Sequence, residues 1–274
     1  FQETYHHDVY ARVHPEGTRK GRYAWRLDAA ARAYDAGLDD FGIGALFGLG
    51  DWKFEVLGLV AHAAYLKDEL GCGPHTVSIP RLRPALGAEL HDAYTVSDDD
   101  LLRVIAVPAP RHSPTRASSS PRAKRPTFAP RDRARVSQLD AGSDIHLGGY
   151  DEAAEIRQSQ QFELGDRRSL DEVIAELLDS DHIPSFCTAC YRLNRTGEHF
   201  MEFAVPGFIK RFCTPNGLLT LTEYLLDHAS PTTRQRGLDL VERKLSTLED
   251  TKLKAKLVER LRRVREDGAR DLYF

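Results

Sequence analysis

The amino-acid sequence predicts an α/β protein with parallel strands, arranged as an open sheet or a (β/α) barrel. Three observations support this fold class. The 274 residues are enough to bury a sizeable core, strand-like apolar runs alternate with helical stretches up to Gly148, and the pattern beyond that residue is mainly helical. The alternation implies crossover connections between parallel strands.

The first elements alternate between helix and strand. Tyr23–Gly37 is rich in helix formers and ends at a glycine, as helices often do. The pattern then predicts a buried strand over Phe41–Leu49, an amphipathic helix over Phe54–Gly71 and a short strand over His75–Pro80. Before them stands the strand-like FQETY, which opens the chain without an initiator Met, so we expect a piece of a longer protein.

The later elements continue the pattern and then change it. Ser97 caps a predicted helix that carries three Asp in its first turn, where the helix dipole favours negative charge, and Val136–Ser143 is a short strand. Ser169 and Glu172 form a capping box at the start of another helix. The charged KLKAKLVERLRRVRE near the end predicts a solvated surface helix.

The change of pattern divides the chain into two predicted domains. We place a barrel-like domain at residues 1–148 and a second, mainly helical module at residues 149–274. One segment of the first domain, Pro108–Arg135, holds six Pro, eight Lys or Arg and a single acid. This composition predicts a disordered basic linker that forms no strand and buries no core, although the alternation requires a strand and a helix there.

Composition and charge exclude several classes of protein. A formal net charge of -3 gives no reason to expect a nucleic-acid partner, and no apolar run approaches the ~20 residues of a membrane helix. Four cysteines in this length do not make a disulfide scaffold, and there is no basic-then-apolar signal peptide. We therefore expect a soluble protein of the reducing cytoplasm.

The cysteines are the main candidate metal ligands. Cys187, Cys190 and Cys213 form a C-x2-C-x22-C element among polar and basic residues. Three thiolates suit a [4Fe–4S] cluster that keeps one iron open to a non-protein ligand. A zinc site would need a fourth ligand, such as His182 or His199. A redox disulfide pair and unrelated cysteines are the remaining alternatives, and the spacing favours the iron–sulfur cluster.

Seven stretches carry a resemblance to a known family. They are FQETYHHDVYARVHPEG, YAWRLDA, AGLDDFGIGALFGLGDWKFEVLGL, GPHTVSIPRLRPALGA, IPSFCTACYR, TGEHFMEFAVPGFIKRFCTPN and LLTLTEYL. Together they resemble the radical S-adenosylmethionine (SAM) tyrosine lyase of [FeFe]-hydrogenase maturation, over nearly the whole chain except Pro108–Arg135. The related tyrosine lyase of thiamine biosynthesis, 2-iminoacetate synthase, shares the barrel motifs but lacks the C-terminal cluster, so the cysteines favour the hydrogenase branch.

The resemblance implies strands 4–8 of a radical SAM (β/α)8 barrel, with the seventh disrupted, followed by a helical cluster domain. In that family a [4Fe–4S] cluster on a C-x3-C-x2-C loop cleaves SAM, and the radical breaks L-tyrosine into p-cresol and dehydroglycine. An auxiliary [4Fe–4S] cluster with a labile iron then receives CO and cyanide for the hydrogenase H-cluster. Cysteine and the other hydrogenase maturation proteins are further partners that the resemblance implies.

The resemblance also assigns residues. The three cysteines match the ligands of the auxiliary cluster, and His75 is the candidate ligand of the labile iron, with a hydrogen-bonded core histidine as the alternative. Gly42 and Gly44 lie in a run that resembles the strand packed on the adenine of SAM, with a glycine-rich core strand as the alternative. Gln2 and Glu3 are candidates for contacts with the polar atoms of SAM.

Two departures from the family limit what this chain is expected to do. It has no C-x3-C-x2-C motif, so we expect it to make no radical alone, with the N-terminal half missing or supplied by another chain. After a one-base shift of the reading frame, Pro108–Ser113 can be read L-R-L-A-I-P, and after a further one-base slip Pro114–Lys124 can be read Y-T-G-L-I-L-T-x-R-E, as the family has there. We therefore expect a frameshift at the seventh strand. The alternative functions are 2-iminoacetate synthase and a non-catalytic iron–sulfur or zinc-binding remnant.

Overall fold

The computed structural model describes residues 2–83, 94–107, 136–144, 166 and 168–274, together with the backbone of 116–119. The chain forms two compact units, Phe1–Arg167 and Arg168–Phe274. The predicted domain boundary between residues 148 and 149 lies outside the described residues. Within the described part of the chain, no helix is long and apolar enough to cross a membrane.

The first unit is a small parallel sheet with helices. Its elements are α1 His7–Val13, α2 Tyr23–Leu27, α3 Ala29–Asp35, β1 Gly42–Gly44, α4 Trp52–Leu70, β2 Thr76–Ser78, α5 Asp98–Ala106, β3 Arg116–Ser119 and β4 Val136–Leu139. The strands are parallel and follow one another in chain order, β1-β2-β3-β4. Glu3 adds a parallel bridge to Ala45 at the β1 edge. This sequential parallel order is that of a partial (β/α) barrel, so the predicted fold class is confirmed.

Local sequence signals determine the limits of the two long helices of this unit. The side chain of Asp51 accepts a hydrogen bond from the Lys53 N–H at the start of α4 (2.9 Å), and Gly71 ends this helix with φ 69°. Glycine adopts this left-handed conformation without the Cβ clash of other residues. Ser97 Oγ accepts from the Asp100 N–H at the start of α5, which confirms the predicted cap.

The core of the first unit lies between the sheet and helices α4 and α5. It contains Ile43, Ala45 and Phe47 from the β1 segment. Buried residues of the two helices cover them: Leu59, Ala63, Leu66, Leu101, Val104 and Ile105. Because side chains alternate along a strand, Gly42 and Gly44 face the opposite side of the sheet from this core.

Three expectations for the first unit need correction. The predicted helix over Tyr23–Gly37 is two helices, α2 and α3, because the backbone of Asp28 (φ -77°, ψ 4°) departs from the helical conformation between them. The strand-like opening contributes a single bridge and is followed by α1, which the sequence did not predict. The His6 side chain accepts from the Val9 N–H and caps that helix.

The third correction concerns the Pro/Arg-rich segment, which was expected to form no strand. Its residues Arg116–Ser119 form β3, which pairs in parallel with β2 and with β4. Sheet hydrogen bonds join backbone groups, so a strand between two partners does not require apolar side chains. The pairing with β4 is irregular between Ala117 and Ser118. The rest of the segment lies outside the described residues.

The second unit is helical in its described residues. Its elements are α6 Leu170–Asp179, α7 Ala189–Arg192, α8 Gly197–Ala204, α9 Lys210–Asp227, α10 Pro231–Ser246 and α11 Thr251–Glu266. The predicted capping box of Ser169 and Glu172 is present at the start of α6. Helix α9 runs through the centre of the core, where Leu218, Leu219, Leu221 and Leu225 are fully buried.

Helix α11 is not simply the solvated surface helix that its charge predicts. Leu257, Leu261 and Val264 recur at helical spacing and are almost completely buried against the core. A helix needs only one apolar stripe to pack, and the many Lys and Arg residues occupy its other faces. The high charge of the segment therefore coexists with a packed face.

Candidate cluster and cofactor site

The three cysteines of the C-x2-C-x22-C element lie on two neighbouring parts of the second unit. Cys187 comes just before α7, Cys190 lies within α7, and Cys213 lies in the first turn of α9; all three are half-buried and outside disulfides. The Ala189 N–H donates to Cys187 Sγ (3.4 Å). An amide–sulfur hydrogen bond of this kind is common around metal-bound thiolates and tunes their clusters.

By residue type the three thiols fit a thiolate-ligated cluster, but the structure does not bring them together as a set of metal ligands. Among the described residues, no three His, Cys, Asp or Glu side chains are grouped so that they could hold a metal ion. His199, one candidate for a fourth zinc ligand, is exposed and has its Nδ1 3.0 Å from Glu202 Oε2. The other cysteine, Cys72, is buried in the first unit.

A cavity of about 750 Å³ lies beside Cys187 in the second unit. The rings of Phe186 and Tyr224 stack along it with their centroids 5.3 Å apart. Burial, followed by the charge of Asp171, raises the pKa of Tyr224 to about 12, so its hydroxyl stays protonated. Arg192 also lines the cavity and pairs with Asp271 at 2.5 Å. The polar groups here are thus mostly engaged with one another.

His75 lies at the amino end of β2, where its Nδ1 is 2.8 Å from Asp40 Oδ1 and both side chains are largely buried. With Nδ1–H donated to Asp40, the lone pair of the ring lies on Nε2. Metal-bound histidines commonly donate their other nitrogen to a carboxylate in this way, so the pair fits an iron ligand. It equally fits the alternative of a hydrogen-bonded core histidine. The sequence did not predict Asp40 as its partner.

Three of the candidate SAM residues, Gln2, Gly42 and Gly44, occupy positions on the face of the sheet away from the helices, whereas Glu3 is in register with the core residue Ala45. The Gln2 N–H donates to Gly44 O (2.9 Å), and Gly44 is in register with Ser78. The Gln2 side chain is only 4% exposed, and neither of its amide atoms has a hydrogen-bond partner in the described structure. Buried polar atoms are normally paired, so a polar ligand on this face fits Gln2 well.

Gly42 has a packing reason as well. A Cβ at Gly42 would lie 2.5 Å from Thr76 Oγ1, so the Thr76 side chain of β2 occupies the space that a side chain there would need. Gln2 is level with Gly44 and His75 with Phe41, a difference of three residues or about 10 Å along the strands. The candidate cofactor face and the candidate iron ligand therefore lie at different heights of the sheet.

Glu3 and a buried network complete this end of the first unit. Glu3 has φ 71°, an unusual conformation for a non-glycine residue, and its carboxylate lies 3.4 Å from Lys20 Nζ. Next to it, the fully buried Glu55 accepts hydrogen bonds from Thr4 Oγ1 and from the Tyr5 N–H. Burial raises the pKa of Glu55. The sequence signal for Glu55 is an acid among the apolar residues of the first turns of α4, ahead of the charged Lys67–Glu69 at its end.

Curated proteins match part of the chain in sequence. The chain is 34% identical to 2-iminoacetate synthase of Escherichia coli (strain K12) and 31% identical to that of Salmonella typhimurium, in each case over 65% of this chain and 46% of the other protein. It spans about half the length of these relatives. No family model matches the chain.

Solved structures match over more of the chain. A crystal structure of HydG, described as a maturase of the [FeFe]-hydrogenase, superposes with a TM-score of 0.89 and 40% identity, covering 100% of this chain and 59% of that one. HydG from Carboxydothermus hydrogenoformans gives a TM-score of 0.71 and 36% identity, covering 95% and 56%. The chain therefore has the fold of part of a radical SAM barrel protein. In sequence as well as fold it is similar to part of HydG, and in sequence to part of the related 2-iminoacetate synthase.

Proposed function

We propose that this chain is part of a radical SAM tyrosine lyase that supplies CO and cyanide for the H-cluster of [FeFe]-hydrogenase. The observation that supports the proposal most directly is the C-x2-C-x22-C element on α7 and α9, in a chain 40% identical to HydG. In this proposal Cys187, Cys190 and Cys213 hold an auxiliary [4Fe–4S] cluster, which supplies an iron site that is open to non-protein ligands. Cysteine is a further ligand in the proposal.

The other candidate residues would bind rather than react. His75, oriented by Asp40, is the proposed ligand of the labile iron. Gln2, Glu3, Gly42 and Gly44 would contact SAM, with the buried amide of Gln2 hydrogen-bonding its polar atoms. We propose no catalytic residue. The chain contains no C-x3-C-x2-C motif, so formation of the radical, a second cluster and cleavage of L-tyrosine are assigned to a protein that also carries this motif.

Anaerobic reconstitution with iron and sulfide tests the cluster. We expect about four iron and four sulfide per chain, and an EPR signal after reduction. The triple variant with Cys187, Cys190 and Cys213 changed to Ser is the matched control and should bind none. A chain that retains one zinc and gives no EPR signal would favour the zinc-binding remnant instead. Joining the chain to a C-x3-C-x2-C-bearing half and assaying p-cresol tests the lyase activity.

Cyanide distinguishes the two enzyme branches. A hydrogenase maturase should release CO and cyanide from tyrosine, whereas 2-iminoacetate synthase should stop at dehydroglycine. The cysteine element favours the first branch, because the thiamine relatives lack a C-terminal cluster. Cleavage of tyrosine without CO or cyanide in a cluster-loaded protein would favour the second.

We also propose that the coding frame is shifted across Pro108–Arg135. The proposal rests on the reading of an apolar helix end, turn and strand in the shifted frame. Resequencing the coding DNA tests it. An uninterrupted frame with no spare base between the codons of Val107 and Val136 would contradict the proposal.

A further inference from the structure

Arg195 contacts both parts of the second unit that carry the cysteines. It lies between α7 and α8, and its backbone N–H donates to the carbonyl of Cys190 (2.8 Å). Its guanidinium carbon lies 4.3 Å from the ring centroid of Phe212, the residue before Cys213. The backbone of Arg195 therefore contacts the helix that carries Cys190, and its side chain contacts the first turn of α9.

The same guanidinium is held from a third direction. Its Nη2 donates to Phe274 O (2.8 Å). Phe274 in turn is fixed to α9, because its N–H donates to Asn216 Oδ1 (2.7 Å) and its carbonyl accepts from Asn216 Nδ2 (3.3 Å). Asn216 is one helical turn beyond Cys213. Arg195 is thus attached to α9 on both sides of that cysteine.

The residues that make these contacts are buried, so water cannot readily replace their hydrogen-bond partners. Arg195 is 7% exposed and Asn216 is 1% exposed, so neither can exchange its partners for water without opening the packing. The Nε of Arg195 is buried and has no hydrogen-bond partner in the described structure. Sulfur ligands and sulfide accept hydrogen bonds from such donors, and a nearby cation offsets the negative charge of three thiolates.

We propose that Arg195 is a positioning residue that ties the helix carrying Cys190 to the first turn of α9, which carries Cys213. This inference rests on the proposed cluster site. It concerns how the ligands are held and assigns Arg195 no part in chemistry. Residues that orient metal ligands from outside typically contribute 10–100-fold to metal affinity. We therefore expect loss of the guanidinium to weaken metal binding by about tenfold or more.

The test uses the whole chain and Co²⁺ alone as the probe, titrated without oxygen against a competing chelator. The thiolate-to-cobalt absorption reports how many cysteines bind. Arg195→Met is the test variant. Arg260→Met is the matched control, because Arg260 donates to Tyr273 O (2.7 Å) and lies 3.8 Å from the Phe274 ring. Arg260 thus contacts Tyr273 and Phe274 from helix α11, whereas Arg195 contacts Phe274 from the side of the cysteines.

The expected result separates positioning from general stability. Both variants should lower the Tm, but only Arg195→Met should raise the Kd for Co²⁺ by about tenfold or more and weaken the thiolate band. Equal Kd values for wild type and Arg195→Met would overturn the inference. If wild type gives no thiolate band, the proposed cluster site fails instead, and the inference with it.

A second variant covers the case in which Arg195→Met does not fold. Arg195→Lys keeps the positive charge but lacks the planar fork that stacks on Phe212 and reaches Phe274 O. We expect it to fold and to bind Co²⁺ more weakly than wild type. Wild-type affinity in a folded Arg195→Lys protein would show that the contacts of the guanidinium are not needed, and would equally overturn the inference.

Discussion

Asp171 is expected to be a major contributor to the stability of the helical unit. Its carboxylate, in the first turn of α6, accepts from the Ser230 hydroxyl (2.7 Å), the Thr233 hydroxyl (2.9 Å) and the Tyr224 hydroxyl (3.3 Å), and also from the Ser230 N–H (3.2 Å). Ser230 caps α10 and Tyr224 belongs to α9. A single side chain thus joins three helices.

The expected loss follows from the donors that Asp171→Ala leaves behind. Thr233 and Tyr224 are 3% and 8% exposed, so their hydroxyls cannot turn freely to water. At about 1.5 kcal/mol for each of these two hydrogen bonds to a charged group, the free energy of unfolding should fall by about 3 kcal/mol. Asp171→Asn, which keeps an acceptor oxygen, should lose less.

Urea unfolding followed by circular dichroism measures this loss, and hydrogen exchange of α9 and α10 assigns it to the second unit. The control is Asp179→Ala, which removes an exposed ion pair with Arg236 (3.0 Å) and should cost at most about 1 kcal/mol. If Asp171→Ala costs no more than Asp179→Ala, the reasoning from buried donors is wrong.

The pH dependence gives a second test of Asp171. Burial acts to raise its pKa, but the hydrogen bonds from Ser230, Thr233 and Tyr224 outweigh burial and hold the pKa below its usual range. A lowered carboxylate pKa stabilises the fold above the unfolded value of about 3.9, and this stability is lost as the pH falls through the folded value. The stability of Asp171→Ala should therefore fall less than that of the wild type as the pH is lowered.

Three further predictions concern packing and titration. Gly237→Ala would place a Cβ 2.4 Å from both terminal carbons of Leu225. Urea unfolding should therefore show that the free energy of unfolding falls by about 1–3 kcal/mol. Because the two residues are in contact, the effects of Gly237→Ala and Leu225→Ala should not add in the double variant. Gly42→Ala should lower the Tm because of Thr76 Oγ1 at 2.5 Å, and Thr76→Ala should restore part of it. Burial lowers the pKa of His62 to about 4, and the unfolded imidazole takes up its proton first, so the fold loses stability as the pH falls from about 6.5 toward 4. The hydrogen-exchange protection factors of α4, which correct for the intrinsic exchange rate at each pH, should fall over this range, and those of His62→Gln should not show this change.

Signals that act within one helical turn were predictable from the sequence. The caps at Ser97 and Ser169 and the glycine at the end of α4 are where the sequence places them, because each depends only on residues three or four positions away. The parallel sheet was also predictable, since alternating strands and helices leave few other arrangements.

Features that depend on distant parts of the chain were not predictable. Nothing near Arg195 in the sequence indicates that it will be buried between Phe212 and Phe274, which lie 17 and 79 residues away. Likewise, Asp40 becomes the partner of His75 only because β1 and β2 lie side by side. The polar β3 was missed for a similar reason, since its neighbours rather than its composition provide its hydrogen bonds.

The position of β4 has a practical consequence for handling the protein. It is the last strand in the sheet order, so within the described part of the chain its outer backbone groups have no strand beside them, and Leu139 at its end is 45% exposed. An open strand edge is a template on which a second molecule can pair. Spectroscopic samples are therefore best compared with dilute ones by light scattering before any signal is assigned to a single chain.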